Sequence, residues 1–357
     1  MLKIAVYTQS YNAVNTIERT IQSVLQQEVN GDFLYYIADN NSTDGTQQII
    51  ADYAKRDKRI IPFFFDENLM LRGVTFMQNM AREGKAEYIA MLDADDEYVP
   101  GAFQDLADFA DEHGLDVASG GHVGVDGVSG NFIENPPGVK NFLEDRVINN
   151  KSDFMNTPFW EYSRFTMVWA KLFRSTTLAE VDLNTNYHKS IRWGWDGVFT
   201  LSMYLHCMNI GFRKGVHLNY WQMNNSFMKT FNKENIISVR LYDDFLNYYV
   251  LRVHAELNDR DKQYLSLMHL SNVDKMLFHI SNLSSHEEKL KALKLLLNNV
   301  HTKNYFKVWK LYLHDLKESI EALENLLHWL KGTNVTTTEM ETTDALNKYL
   351  NVSIFPK

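Results

Sequence analysis

Short apolar runs alternate with helically spaced apolar positions over the first hundred residues. Lys3–Thr8, Phe33–Ala38, Ile60–Phe65 and Glu87–Leu92 read as strands. Between them, Ile17, Ile21, Val24 and Leu25 recur at helical spacing. Ile49, Ile50 and Tyr53 mark a second helix, and 74–82 a third. Asn15 followed by Glu18 has the spacing of a capping box. Pro100 stands where a first helical turn accepts proline, ahead of an apolar stripe at Phe103, Leu106 and Phe109. Strands parted by helices of this length predict βαβ units, hence an α/β fold with a mostly parallel sheet flanked by helices.

The pattern then loosens. Gly and Asn punctuate a predicted hairpin over 120–131, and aromatic residues are dense from 154 to 169. A helix is expected over 196–208 and a strand over 212–221. From about residue 234 the spacing is helical throughout. Trp309, Leu313, Leu316, Ile320, Leu323, Leu327 and Leu330 alternate four- and three-residue steps, a heptad stripe with Gly332 as its stop. That stripe reads either as a long packed helix or as a homodimer or partner helix over 303–331. A Thr-rich stretch, 333–343, reads as a linker. The chain thus divides into a sheet domain, 1–230, and an all-helical C-terminal region, 231–357.

In open parallel sheets, ligands bind beyond the carboxyl ends of the strands. Three polar clusters fall there: 8–12, 39–44 and 93–96. Asp93-Ala94-Asp95-Asp96 follows the apolar strand end Tyr88–Leu92. Carboxylates this close repel unless a cation compensates, and hard Mg²⁺ or Mn²⁺ prefers such oxygen ligands together with substrate phosphates. A solvated acidic turn is the plainer reading of the same residues. Asp39-Asn40-Asn41-Ser42-Thr43-Asp44-Gly45 reads as a turn and helix cap, which leaves Asp39 at the strand end able to accept hydrogen bonds from a base or ribose. In Gln9-Ser10-Tyr11-Asn12 the tyrosine ring can stack on a base, or the segment is an ordinary strand-to-helix turn.

The composition narrows the class. Of the 357 residues, 45% are apolar and 13% aromatic, enough for a substantial core. A net charge of −9 argues against a general nucleic-acid partner. The single cysteine, Cys207, rules out an intrachain disulfide and fits a reducing compartment. No apolar run approaches the roughly 18 residues of a bilayer span, and the N-terminus carries no signal-peptide pattern. The expectation is a cytoplasmic protein, soluble or peripheral to a membrane.

Taken in order, Ser10-Tyr11-Asn12, Asp39–Thr46, then Glu87-Tyr88-Ile89 leading into Leu92–Asp96 and Pro100, the chain resembles glycosyltransferase family 2 over about residues 1–230. The resemblance implies a GT-A, Rossmann-like fold that binds a nucleotide-sugar in its N-terminal half. It implies donor contacts from Gln9, Tyr11, Asp39, Arg72, Asp93 and Ala94, with Asp39 on a uracil and hence a UDP-sugar. It implies Mn²⁺ or Mg²⁺ on Asp95, with Asp93 and Asp96 beside it. Lys171-Leu172-Phe173-Arg174 resembles the segment leading to the acceptor region. Gly194–Phe199 resembles the family's Glu-Asp motif, which makes Asp196 the catalytic base of an inverting transfer to a glycan or glycoconjugate acceptor. Asn219–Ser226 resembles the closing strand and loop over the diphosphate.

The chain departs from the family in three places. Trp195 replaces the usual Glu, Gln9 replaces a Pro-Thr or Pro-Ser turn, and Trp221 stands where some relatives carry a metal-ligating His. His217 lies near that position, where a lone histidine is more often structural than a ligand. Two other readings compete. A sugar-phosphate nucleotidyltransferase would carry a Gly- and Arg-rich loop after the first strand, where this chain has Gln9–Asn12. A degenerate, non-catalytic scaffold would have no need of Asp39, Asp93, Asp95 and Asp196 together.

Overall fold

A computed structural model of the chain describes residues 2–68, 72–133, 143–150, 153, 166–183, 185–191, 194–223, 233–254, 256–259, scattered positions between 262 and 283, and 285–297. The heptad run 303–331, Gly332, the Thr-rich stretch 333–343, most of the aromatic segment 154–169 and Ser226 lie outside the described residues.

The chain divides into two compact units. The first takes Met1–Lys189 with Trp195–Asn224, and the second takes Ser190–Gly194 with Asn225–Lys357. In the first unit, strands β1 (Leu2–Ser10), β2 (Phe33–Asp39), β3 (Ile60–Phe64) and β4 (Ala86–Met91) are separated by α1 (Ile17–Leu25), α2 (Thr46–Arg56) and α3 (Arg72–Arg82). The acidic loop and β5 (Glu97–Tyr98) lead to α4 (Ala102–Glu112) and β6 (Val117–Asp126). After β7 (Phe132–Ile133) and β8 (Arg146–Ile148) come β9 (Lys171–Arg174), α5 (Ser175–Glu180), α6 (Asn186–Ser190), α7 (Trp195–His206) and β10 (Ile210–Gln222).

One sheet runs β3-β2-β1-β4-β9-β6-β10-β5, with β7 beside β6 and β8 beside β10. The first four strands are mutually parallel, in a register that aligns Ser10 with Asp39 and Tyr7 with Met91. β9 enters antiparallel to both β4 and β6. This is the mostly parallel, helix-flanked α/β sheet expected from the alternating pattern.

The physical reason lies in β1. Residues 4–8 are buried in succession, which is the mark of a central parallel strand covered on both faces. Ile4, Val6, Tyr35, Ile37 and Tyr88 are all fully buried, with Ile17, Ile21 and Val24 of α1 and Leu106 of α4 completing the core. Full burial of a large aliphatic side chain contributes about 1.5–3 kcal/mol.

Two local expectations are corrected. α1 begins behind Thr16, and no capping-box bond forms. Glu18 instead accepts the Tyr53 hydroxyl at 2.8 Å, a tertiary partner that replaces the local one. Pro100 lies outside its helix, because Gly101 at φ 80° is the N-cap of α4.

The second unit contains α8 (Lys233–Val253) and α9 (His286–Leu297). Its interior holds a buried hydrogen bond between His269 Nδ1 and Asp243. Among the described residues, no helix is long and apolar enough to cross a membrane.

Candidate functional site

β1 pairs with β2 on one side and β4 on the other, so the chain order reverses at the carboxyl end of β1. That switch point is where open α/β sheets bind ligands. The first two polar turns interlock there. Asn12 donates its N–H to Ser42 Oγ and accepts from the Thr43 N–H. Ala13 and Val14 donate their N–H groups to Thr46 Oγ1 and Asp44 Oδ2. Asn12 and Asn41 adopt φ of 49° and 65°, left-handed backbone that asparagine tolerates better than most residues.

Asp39 is the keystone of this turn. It is fully buried, and its carboxylate accepts four donors: Ser10 Oγ at 2.9 Å, the Ser42 N–H at 2.8 Å, Ser42 Oγ, and Gln47 Nε2 at 2.8 Å. Such a group has about four lone-pair sites, so its capacity is committed within the protein. Its neighbour Asn40 is the reverse case. It is 1% exposed, and neither Oδ1 nor Nδ2 has a partner. A buried amide with nothing bonded carries a desolvation cost that a bound polar ligand would relieve. Turn chemistry hides Asn40 in the sequence; burial without a partner is what picks it out.

Gln9 Oε1 accepts the N–H of Gly73, in the first turn of α3, at 3.1 Å. A Cβ on Gly73 would sit 2.9 Å from that oxygen, so glycine is what lets α3 approach. Tyr11 stands on the rim, half exposed. Arg72 opens α3, and its side chain lies outside the described residues.

The acidic loop follows β4. Leu92 donates its N–H to Tyr7 O at 3.0 Å, and the Asp96 N–H reaches Asp93 O at 3.2 Å, with Ala94 half-buried between. Asp93, Asp95 and Asp196 keep part of their residue surface open, while their carboxyl groups lie deep enough to be desolvated. Burial raises the Asp93 pKa well above the ordinary range, reinforced by repulsion from Asp95 and Asp196. Asp96 is raised in the same way by burial, then by Asp95 and Asp93. One Asp96 oxygen accepts the Trp221 N–H at 2.8 Å; the other, Oδ2, is buried without a partner.

Asp196 lies in the first turn of α7 and interacts with Asp93 from about a hundred residues downstream. Burial pushes its carboxyl up to about 7, against the opposing pull of Lys171. Lys171, on β9, is 1% exposed, and burial brings its ammonium down to about 7 despite Asp196. Tyr220 feels all four carboxylates; burial first, then Asp96, Asp93, Asp95 and Asp196, raise its hydroxyl. Its ring stacks on Trp169 at 5.6 Å, and His122 meets Trp169 edge-on at 4.7 Å. Lys171 and Tyr220 fall in segments that the family resemblance names, but their place beside the carboxylates, like this aromatic wall, is not legible in the sequence pattern alone.

His217 makes a structural contact. It is buried, its Nε2 bonds Asp105 at 2.8 Å, and its ring packs closely against Gly120. It braces α4 against β10.

The donor set of the loop is all carboxylate oxygen, and Asp96 Oδ2 is left over inside it, which suits a hard divalent cation. Among the described residues, no three His, Cys, Asp or Glu side chains converge tightly enough to hold a metal by themselves. Mg²⁺-type sites often use one or two carboxylates and complete the shell with substrate phosphate, and the loop fits that arrangement.

Comparison with known proteins agrees with the fold. The family model described as Glycosyl transferase family 2 matches residues 6–167. The Bacillus subtilis (strain 168) protein TuaG, named for teichuronic acid biosynthesis, is 40% identical over 27% of this chain and 36% of its own length. The poly(ribitol-phosphate) beta-N-acetylglucosaminyltransferase TarS of Staphylococcus aureus (strain MW2) is 26% identical over 59% of this chain and 34% of its own length. The chain therefore spans about a third of the length of these two curated relatives. A crystal structure of S. aureus TarS 1–349 in complex with UDP-GlcNAc superposes with a TM-score of 0.63 at 17% identity, covering 98% of this chain and 92% of that one. Residues 6–167 thus match the model of glycosyltransferase family 2, and the mostly parallel sheet with carboxylates at its switch point is similar in fold to the TarS structure.

Proposed function

We propose that this chain transfers a sugar from a nucleotide-sugar, a UDP-sugar in this reading, to a hydroxyl of a surface-glycan or glycoconjugate acceptor, with inversion at the anomeric carbon. The observation that carries the reading is the position of Asp196. It faces the donor-side carboxylates and is raised toward 7, where a carboxylate is a competent base near neutral pH. Asp196 takes the acceptor's hydroxyl proton as that oxygen bonds to the anomeric carbon. The bond from that carbon to the diphosphate breaks in the same displacement. No side-chain nucleophile is required, unlike a retaining glycosidase.

The polar turns serve the donor. Gln9 and Tyr11 border the nucleoside, Asp39 fixes the turn from which Asn40 offers its unpartnered amide, and Arg72 opens the neighbouring helix. Asp93 and Ala94 line the ribose side. Asp95, with Asp93 or Asp96, would hold Mn²⁺ or Mg²⁺, which when bound neutralises charge on the departing diphosphate. The uracil preference gains support from the UDP-GlcNAc bound by the TarS structure and from the names of the relatives. In this reading the catalytic work belongs to residues 1–230, and the helical region 231–357 governs the acceptor, membrane association or self-association.

A thermal-shift panel of nucleotides and nucleotide-sugars, with and without Mn²⁺, tests the donor reading. A ligand of the folded state at a hundred times its Kd stabilises by about 2.7 kcal/mol. Uracil nucleotides should raise Tm, more so with Mn²⁺. A panel in which none shifts Tm would overturn the reading.

A further inference from the structure

Two elements, α1 and β10, hold the acidic loop from behind, and they meet on one cation. Arg19, on α1, sends Nη2 to the main-chain oxygen of Asp95 at 2.7 Å. Its guanidinium lies 3.6 Å above the Trp221 ring, at the end of β10. Trp221 in turn donates its main-chain N–H to Asp96 Oδ1 at 2.8 Å and its Nε1–H to Glu97 Oε2 at 2.5 Å. Thr20, the residue after Arg19, donates its hydroxyl to Asp96 O at 2.9 Å. The carbonyls of Asp95 and Asp96 are thereby fixed by α1, while one Asp96 oxygen is fixed by β10.

The charge matters as well as the shape. Asp93, Asp95, Asp96 and Glu97 are four acids in five residues. Arg19 is a cation beside them: its Nε lies 3.8 Å from Glu97 Oε1, and it draws down the carboxyls of Asp95 and Asp96 against burial. A stacked, half-buried guanidinium supplies a planar charge that a flexible ammonium does not.

We propose that Arg19, clamped on Trp221, is a positioning residue. It holds the Asp93–Asp96 loop in the conformation that receives the donor diphosphate and its cation, and it acts through the Asp95 carbonyl. The part that concerns the donor rests on the transferase reading; the part that concerns loop order does not.

The experiment compares wild type, Arg19→Met, Arg19→Lys and Trp221→Phe in the full chain. Hydrogen exchange reads the amides of 93–98 and 221, and titration calorimetry reads Mn²⁺ binding in the presence of UDP. Loss of one charge-assisted hydrogen bond predicts roughly tenfold faster exchange in the loop of Arg19→Met, and roughly tenfold weaker Mn²⁺ binding, with exchange in β1 and β2 unchanged. Arg19→Lys keeps the charge but cannot both stack and reach Asp95 O, so it restores only part of each. Trp221→Phe keeps a ring and loses the Glu97 bond, and falls between.

If Arg19 were merely a countercharge, Arg19→Met would bind Mn²⁺ more tightly and Arg19→Lys would match wild type; that pattern overturns the proposal. Unchanged loop exchange in Arg19→Met overturns it too. Faster exchange everywhere marks a general stability residue and also overturns it. Absence of Mn²⁺ and UDP binding in wild type overturns the transferase reading, and the loop exchange still decides the role of Arg19.

Discussion

Asp39 offers the sharpest separation between what a residue holds and what it touches. Its carboxylate accepts two hydroxyls, one main-chain N–H and one side-chain amide, all inside the fold. Asp39→Ala removes the acceptor of all four donors; the Ser10 hydroxyl is left in a buried place, and the Ser42 and Gln47 donors in a half-buried one. Each buried donor left unsatisfied costs about 1–3 kcal/mol, and the two serine hydroxyls can rotate to find other acceptors. The Ser42 N–H and the Gln47 amide have less freedom, so a net loss of about 2–6 kcal/mol is expected, a large part of a typical 5–15 kcal/mol stability. Asp39→Asn keeps the shape and lets the hydroxyls accept from the new amide; it loses charge assistance and should cost about 2 kcal/mol. Urea unfolding followed by tryptophan fluorescence reads both values, and UDP binding is measured on each variant under conditions where it is folded. The expected pattern is a large stability loss, with UDP affinity in folded Asp39→Asn within a few-fold of wild type. Unchanged stability with UDP binding abolished would refute the keystone argument and return Asp39 to direct contact with the base.

Two further outcomes follow from the same geometry. A Cβ at Gly120 would sit 2.5 Å from the His217 ring, which Asp105 holds in place, so Gly120→Ala should cost about 1–3 kcal/mol by overpacking and lower Tm without changing UDP affinity. A Tm equal to wild type would show that the β6–β10 contact yields. Lys171 opposes the upward push of burial on Asp196, which stands at about 7. Removing that cation in Lys171→Met raises the Asp196 pKa further, so less of the base is deprotonated at neutral pH. The acid limb of the kcat/KM profile should therefore move to higher pH, with activity regained on the alkaline side; a limb that stays or moves to lower pH contradicts the pairing.

The central sheet is legible in the sequence because parallel strands buried on both faces leave continuous apolar runs, as in β1 and β4. The strand over 210–222 and the helix over 195–206 fall within two residues of their expected ends. β9 escapes such reading. It has four residues, and its first, Lys171, breaks the apolar pattern because its partner Asp196 lies in another element. The capping box at Asn15 and Glu18 fails for a related reason: Tyr53 reaches Glu18 from α2 and outweighs the local bond. Trp221 and Asp96 are 125 residues apart, and His217 and Asp105 are 112 apart, so no local spacing could announce either pair. Motif order locates the carboxylates. Only packing tells which are committed inside the protein, as Asp39 is, and which present an unused oxygen, as Asp96 does.

The claim at the centre is that Asp196 removes the acceptor proton while other residues bind the donor. Single-turnover transfer from a UDP-sugar, compared between wild type and Asp196→Asn alongside calorimetric UDP binding, tests it most directly. Loss of a general base predicts a rate lower by about 10²–10⁴-fold. UDP affinity should stay within a few-fold of wild type. Transfer by Asp196→Asn at close to the wild-type rate would contradict the account.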